Sequence, residues 1–230
     1  MSWAERFRPR ELDDLLLDGT PGLRALLEAY IRNAVSGGDG SGVVPHLLLV
    51  GPPGCGKTSI AGVLAREYYR RAVSSSSSDA TLQNLLYINV AGTADRNGLA
   101  GHNQVIHNLA QTRHPFLPAH VLRFVVLDEV EGMSVDAQQA LRRLIDAAAQ
   151  RGNLRFVLVT NYEWKISPAL LAVALTVHVQ PPSEAAICAR LERVRAAMGS
   201  TLPLPALQQI ARTCDGDVRR AINELQRQCL

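Results

Sequence analysis

Three features are scarce in this chain, and each scarcity excludes something. Of its 24 lysine and arginine residues only Lys57 and Lys165 are lysines. Cysteine occurs at Cys55, Cys188, Cys214 and Cys229, never in C-x-x-C spacing, which argues against a zinc site and a disulfide framework and implies reduced thiols. No run of about eighteen apolar residues exists, so no membrane span is expected. The opening Met1-Ser2-Trp3-Ala4-Glu5-Arg6 is polar and charged, unlike a secretory signal, and an intracellular location is the expectation. What is present suits a globular chain: 230 residues, 47% of them hydrophobic, are enough for one large or two modest domains. A net charge of +3 and a pI near 8.8 are mildly basic, compatible with a nucleic-acid partner if the arginines cluster in space.

The scarcity of lysine gives weight to the one in Gly51-Pro52-Pro53-Gly54-Cys55-Gly56-Lys57-Thr58-Ser59. This stretch matches G-x-x-x-x-G-K-[ST] between the apolar run His46-Leu47-Leu48-Leu49-Val50 and a helical pattern, the context a phosphate-binding loop requires. Glycines let backbone N–H groups wrap a phosphate, and the following helix directs its positive dipole end at the same anion. Lys57 is expected to neutralise the β- and γ-phosphates of a nucleotide and Thr58 to place its hydroxyl on Mg²⁺, with Ser59 starting a helix that buries Ile60, Val63 and Leu64.

A second signal lies at Leu122-Arg123-Phe124-Val125-Val126-Leu127, a buried parallel strand by its continuous apolar character, closed by Asp128-Glu129. The first acid is placed to hold Mg²⁺ through water and the second to polarise an attacking water. Further strands are expected at Leu86–Val90, Leu154–Asn161 and Leu175–Val179. The fourth ends in Thr160 and Asn161, placing one of them at the same sheet edge; taken alone, an asparagine there reads as a loop cap.

Helices are expected from Pro21 to Ala34, with Thr20-Pro21 as cap and first turn, from Asn103 to Gln111, and from Val135 to Gln150 with Ser134 as cap. Ser36–Gly42 and the serine run before Asp79 read as exposed loops, and Trp3–Leu15, broken by Pro9, as an ordered arm rather than a helix. Pro181-Pro182 marks a boundary, beyond which three short helices follow: one capped by Ser183, one from Pro205 to Thr213, and one after Gly216. The expected fold is α/β, a five-stranded parallel sheet over 1–181 followed by a small helical lid over 182–230.

Together these features resemble the AAA+ phosphate-loop ATPases. Trp3-x-Glu5-Arg6-Phe7-Arg8-Pro9, the phosphate loop, Asp128-Glu129, Gln138-Gln139-Ala140-Leu141-Arg142-Arg143, Asn161-Tyr162 and Gly216-Asp217-x-Arg219-Arg220-Ala221 resemble, in family order, the small subunits of the replication factor C clamp loader. The resemblance implies ATP and Mg as ligands, with Arg8 and Pro9 beside the adenine. It makes Asp128 and Glu129 the Walker B acids, Asn161 the sensor 1 residue and Arg219 the sensor 2 residue.

It also implies hydrolysis within a hetero-oligomeric five-subunit spiral that opens a ring-shaped sliding clamp and closes it around primer–template DNA. Such DNA is tracked through its phosphates, for which Arg96 is a candidate. The location implied is nuclear in a eukaryote and otherwise cytoplasmic. Two departures stand out: where the family carries Ser-Arg-Cys, with its arginine finger for the neighbour's ATP, this chain reads Ala172-Val173-Ala174, and it ends before the family's collar domain. The alternatives are an ATP-binding ring member with little hydrolysis of its own, or another DNA-associated AAA+ ATPase.

Overall fold

The computed structural model describes residues 2–36, 44–72, 85–89, 121–151 and 154–229. Five strands, β1 His46–Val50, β2 Leu85–Asn89, β3 Arg123–Asp128, β4 Leu154–Thr160 and β5 Ala174–His178, form one parallel sheet in the order β2-β3-β4-β1-β5. Their bounds lie within a residue of those expected. The apolar runs are continuous because both sheet faces are covered. Leu47, Leu49, Phe124, Val126, Val157 and Val159 enter one core cluster with helices α2 (Leu23–Ser36) and α3 (Lys57–Ala72). The alternate residues Leu48, Val50, Val125, Leu127, Phe156 and Leu158 enter a second cluster with α4 (Val135–Arg151). At about 1.5–3 kcal/mol for each fully buried aliphatic side chain, clamping from both sides fixes where the strand ends lie.

Three local differences from expectation have physical causes. Helix α3 begins at Lys57, two residues before Ser59, because Ile60 N already donates to Gly56 O at 2.8 Å. Helix α2 begins at Leu23, since the Thr20 hydroxyl is engaged elsewhere, accepting from Gln180 N at 2.8 Å. The opening arm contains a helical turn, α1 (Trp3–Arg6), capped by Ser2 Oγ accepting from Ala4 N; Pro9 follows the turn and so breaks nothing. The expected helix at 103–111, the serine run, Arg96 and most of the Ser36–Gly42 loop lie outside the described residues.

After the short helix α5 (Pro168–Leu171) and β5 come α6 (Glu184–Ala197), α7 (Leu204–Thr213) and α8 (Val218–Gln228). Ser183 caps α6 and Asp217 caps α8, Asp217 Oδ1 accepting from Arg220 N at 2.8 Å. Ile187, Leu191, Leu207, Ile210, Ile222 and Leu225 from these helices form a third cluster, against which Trp3, Ala4, Phe7 and Leu16 of the opening arm pack.

Candidate active site

In a parallel sheet the loops leaving the carboxyl ends of the strands are where a ligand is met. Here Gly51 follows β1, Asp128 ends β3 with Glu129 beyond it, and Asn161 follows β4, so three separated stretches of sequence converge. Beyond Gly51, Pro53–Ile60 line a cavity of about 250 Å³ together with Asp128, Glu129, Asn161, Arg8, Pro9, Tyr87, Arg190 and Arg219.

Lys57 is buried beneath the loop that it closes. Its Nζ donates to Gly51 O at 2.8 Å, Pro52 O at 2.7 Å and Asn161 Oδ1 at 2.9 Å, which uses all three ammonium donors. Burial holds its pKa below the usual lysine value, so an incoming phosphate would supply the negative charge that this ammonium lacks. Gly51 itself must be glycine because a Cβ there would lie 2.2 Å from Val179 O. Cys55 is buried in the loop, and burial pushes its thiol pKa up, in keeping with a reduced, unreactive side chain.

The Thr58 hydroxyl donates to Asp128 Oδ2 at 2.7 Å. The same carboxylate accepts from the Tyr87 hydroxyl and, through Oδ1, from Glu129 N at 3.0 Å. Burial and the Asp128 hydrogen bond hold the Tyr87 phenol well above its ordinary pKa, so it remains a donor. Among the described residues no group of three or more His, Cys, Asp or Glu side chains gathers to cage a metal. A hydroxyl and a carboxylate side by side instead suit magnesium, which takes one or two protein oxygens and leaves its remaining positions to water and phosphate.

Glu129 stands in the left-handed backbone region, at φ 59° and ψ 43°, a conformation that costs a non-glycine residue about 1–3 kcal/mol. Among the described residues nothing binds its carboxylate, which lines the cavity. Asn161 faces Lys57 on one side and Glu131 on the other, with Nδ2 donating to Glu131 Oε1 at 2.8 Å.

The lid side of the cavity is supplied by α6 and α8. Val218 N donates to Gly54 O at 3.2 Å, so the first residue of α8 sits directly on the phosphate loop. Gly54, at φ +75°, leaves room for the Asp217 carboxylate, which a Cβ would meet at 2.0 Å. Arg219 reaches toward the arm, its Nη2 3.9 Å from Glu5 Oε1 with both side chains about half exposed, a weak pair. Arg190 is nearly buried, donating to Phe7 O at 2.5 Å with Asp14 Oδ1 at 3.8 Å.

Thus the structure brings Arg8, Pro9, the phosphate loop, Asp128, Glu129, Asn161 and Arg219 around one cavity. The sequence reading missed Tyr87, Glu131 and Arg190. Tyr87 could be found only by knowing that β2 lies beside β3, and Arg190 only by knowing which face of α6 meets the opening arm. Glu131, three residues beyond Asp128, carried no signal of its own until Asn161 was placed beside it.

Comparison with known proteins adds to this geometry. Residues 47–181 match the family described as ATPases associated with various cellular activities (AAA). The chain is 34% identical over 228 residues to replication factor C small subunit 2 of Pyrobaculum arsenaticum, covering 97% of this chain and 62% of that protein. It is 31% identical over 224 residues to a replication factor C small subunit of Methanoculleus marisnigri, again covering 62% of the relative. It therefore spans less than two thirds of the length of these curated relatives. These are archaeal proteins, which lends a nuclear location no support. Among solved structures, the Thermotoga maritima RuvB Holliday junction branch migration motor superposes with a TM-score of 0.67 at 19% identity, covering 96% of this chain and 64% of that one, a likeness of fold alone.

Proposed function

This chain belongs to the AAA family of ATPases, and from that membership we propose that it binds and hydrolyses ATP as one subunit of a hetero-oligomeric clamp loader, which opens a ring-shaped sliding clamp and loads it onto primer–template DNA. The convergence of Lys57, Thr58, Asp128, Glu129 and Asn161 on one cavity, closed by α8, carries the reading. The archaeal relatives favour a cytoplasmic location. Residues 1–181 form the nucleotide-binding part and 182–230 the lid, a division supported by the third cluster, whose buried members all come from the lid helices and against which the opening arm packs.

The adenine lies toward Arg8 and Pro9, and the polyphosphate in the loop Gly51–Ser59. A magnesium ion held by Thr58 and, through water, by Asp128 would neutralise oxygens of the β- and γ-phosphates. The Lys57 ammonium exchanges its loop carbonyls for phosphate oxygens, a stronger charge-assisted contact. Glu129, fixed by its backbone N–H on Asp128, accepts a proton from the attacking water as the water oxygen bonds to the γ-phosphorus. The bond from that phosphorus to the bridging oxygen breaks, and its electron pair leaves on ADP.

Exchanging Glu129 for Gln in the assembled complex tests the reading. Hydrolysis at this site is expected to fall at least about 100-fold while ATP affinity stays within about threefold. Hydrolysis by the complex that is indifferent to Glu129→Gln would instead assign this chain a structural, ATP-holding place in the ring.

A further inference from the structure

Asn161 is caught between two groups that each dictate one end of its carboxamide. Lys57 Nζ lies 2.9 Å from Oδ1, and Glu131 Oε1 accepts both from Nδ2 at 2.8 Å and from Asn161 N at 3.1 Å. An ammonium has no lone pair to offer, and a carboxylate has no proton to give. Turning the amide over would set NH₂ against ammonium and carbonyl against carboxylate, so its orientation follows from chemistry.

Beyond its electrostatic pull on Lys57, which it helps keep charged, the hydrogen bonds of Glu131 go to Asn161. It sits in the turn Val130–Gly132 just past the two acids, and its Oε2 is buried with no hydrogen-bond partner among the described residues. A half-satisfied buried carboxylate is a poor structural anchor, because an unpaired acceptor destabilises the fold. What it does satisfy is Asn161, twice, through backbone and side chain.

We propose that Glu131 is a positioning residue which locks the Asn161 carboxamide with its carbonyl toward the phosphate site, so that Asn161 meets the reactants as a hydrogen-bond acceptor and not as a donor to the terminal phosphate. The inference rests on the ATP site proposed above and assigns Asn161 its partner there. A water in that cavity can pass one proton to Glu129 while donating a hydrogen bond through the other to Asn161 Oδ1, which leaves a lone pair of the water oxygen for the γ-phosphorus. In the empty site Lys57 occupies the same carbonyl. Phosphate, by drawing Lys57 away, frees it for the water, so the acceptor becomes available only when there is something to attack.

A double-mutant cycle in the full-length protein, in its assembled complex, tests this. Glu131→Gln keeps the size but offers either carbonyl or NH₂, so once phosphate has drawn Lys57 away the amide is no longer locked. Its kcat is expected to fall roughly tenfold or more, the scale of a lost orienting contact, with KM for ATP within about twofold. Asn161→Ala should fall at least as far, and the double variant within about twofold of Asn161→Ala alone, because the orienting effect of Glu131 on the reaction passes through Asn161, while its charge acts on Lys57 and would be read in KM for ATP. Losses that multiply, or a KM effect without a kcat effect, would overturn the proposal. A second measurement needs no nucleotide: exchange of the Asn161 Nδ2 protons with solvent, in ¹⁵N-labelled full-length protein, should be at least roughly tenfold faster in Glu131→Gln than in the parent. Absence of ATP hydrolysis by the parent would overturn the ATPase reading while the exchange measurement still decided the amide orientation, and equal exchange in both proteins would overturn the lock.

Discussion

At the scale of single residues, two buried basic side chains illustrate opposite uses of burial. Lys57 is desolvated and held by three neutral acceptors, an arrangement that awaits an anion. Lys57→Ala should therefore weaken ATP binding by about 100-fold or more, about 2.7 kcal/mol, because the polyphosphate loses its lysine while the backbone cradle remains. Nucleotide titration checks this, and an affinity within about twofold of the parent would remove Lys57 from the site. His46 is buried at the other end of β1, where its Nδ1 accepts from Phe156 N at 3.1 Å. Protonation would break that bond, and burial, assisted by Arg155, pushes its pKa down to about 4 from 6.5. The unfolded chain then binds a proton that the folded chain refuses, so stability falls as pH drops from about 6.5 toward about 4. Between pH 7 and pH 5 the loss from this group is about 2 kcal/mol. His46→Asn retains an acceptor without titrating, so its urea-unfolding free energy should differ less between those two pH values than the parent's. Equal differences would sink the assignment.

At the scale of elements, α8 is attached to the phosphate loop by main-chain contact and to the opening arm by apolar packing and two hydrogen bonds, Ser2 Oγ to Asn223 Oδ1 at 2.9 Å and Trp3 N to Gln226 Oε1 at 2.8 Å, whereas Arg219 meets the arm only through a weak ion pair. Val218 N on Gly54 O is a firm point, and Gly216, at φ +80°, lets the turn before α8 press against Pro181, where a Cβ would meet Pro181 Cβ at 2.3 Å. Arg219, held only loosely by Glu5, is free to exchange that carboxylate for a γ-phosphate. Lid position should then depend on ATP against ADP through Arg219, and Arg219→Ala should abolish the difference. Limited proteolysis around Pro181-Pro182 reads it out, and undiminished ATP-specific protection in the variant would refute the coupling. The elements themselves were legible beforehand: runs such as Phe124–Leu127 can only be strands covered on both faces, and Lys57 and Asp128 stood in unmistakable local contexts. Illegible were contacts set by sheet order and helix azimuth. Tyr87 on Asp128 depends on β2 lying next to β3, and Arg190 on Phe7 depends on the arm folding back over α6. The α1 turn was missed because Pro9 suggested a broken segment, although the proline lies after the turn has closed.

At the scale of the whole molecule, the proposed ATP site lies at one end of the sheet and residues 172–174 at the other. The phosphate loop leaves β1 after Val50, while Ala174 pairs with His46 at the start of β1, four residues and about 13 Å away along the strand. Residues 172–174 therefore cannot serve this chain's own ATP, and a basic side chain there could act only on a neighbour's. This chain offers none: Ala172 caps α5, and Val173 packs into the second core cluster. An arginine supplied in trans accelerates phosphoryl transfer by roughly 10³–10⁵, because it stabilises charge developing on the transferred group, and valine cannot do so. In the proposed assembly, a neighbour's site facing this end of the sheet is thus expected either to be silent or to be completed by a residue from elsewhere. Val173→Ala should change hydrolysis by the assembled complex by less than about twofold, and should lower stability by about 1–2 kcal/mol, since it removes only part of a half-buried side chain. Inactivating the catalytic glutamate of each subunit in turn identifies which sites hydrolyse ATP. If the site facing residues 172–174 proved fully active and collapsed on Val173→Ala with the fold intact, this segment would be taking part in catalysis, and the expectation of a site without a finger would be wrong.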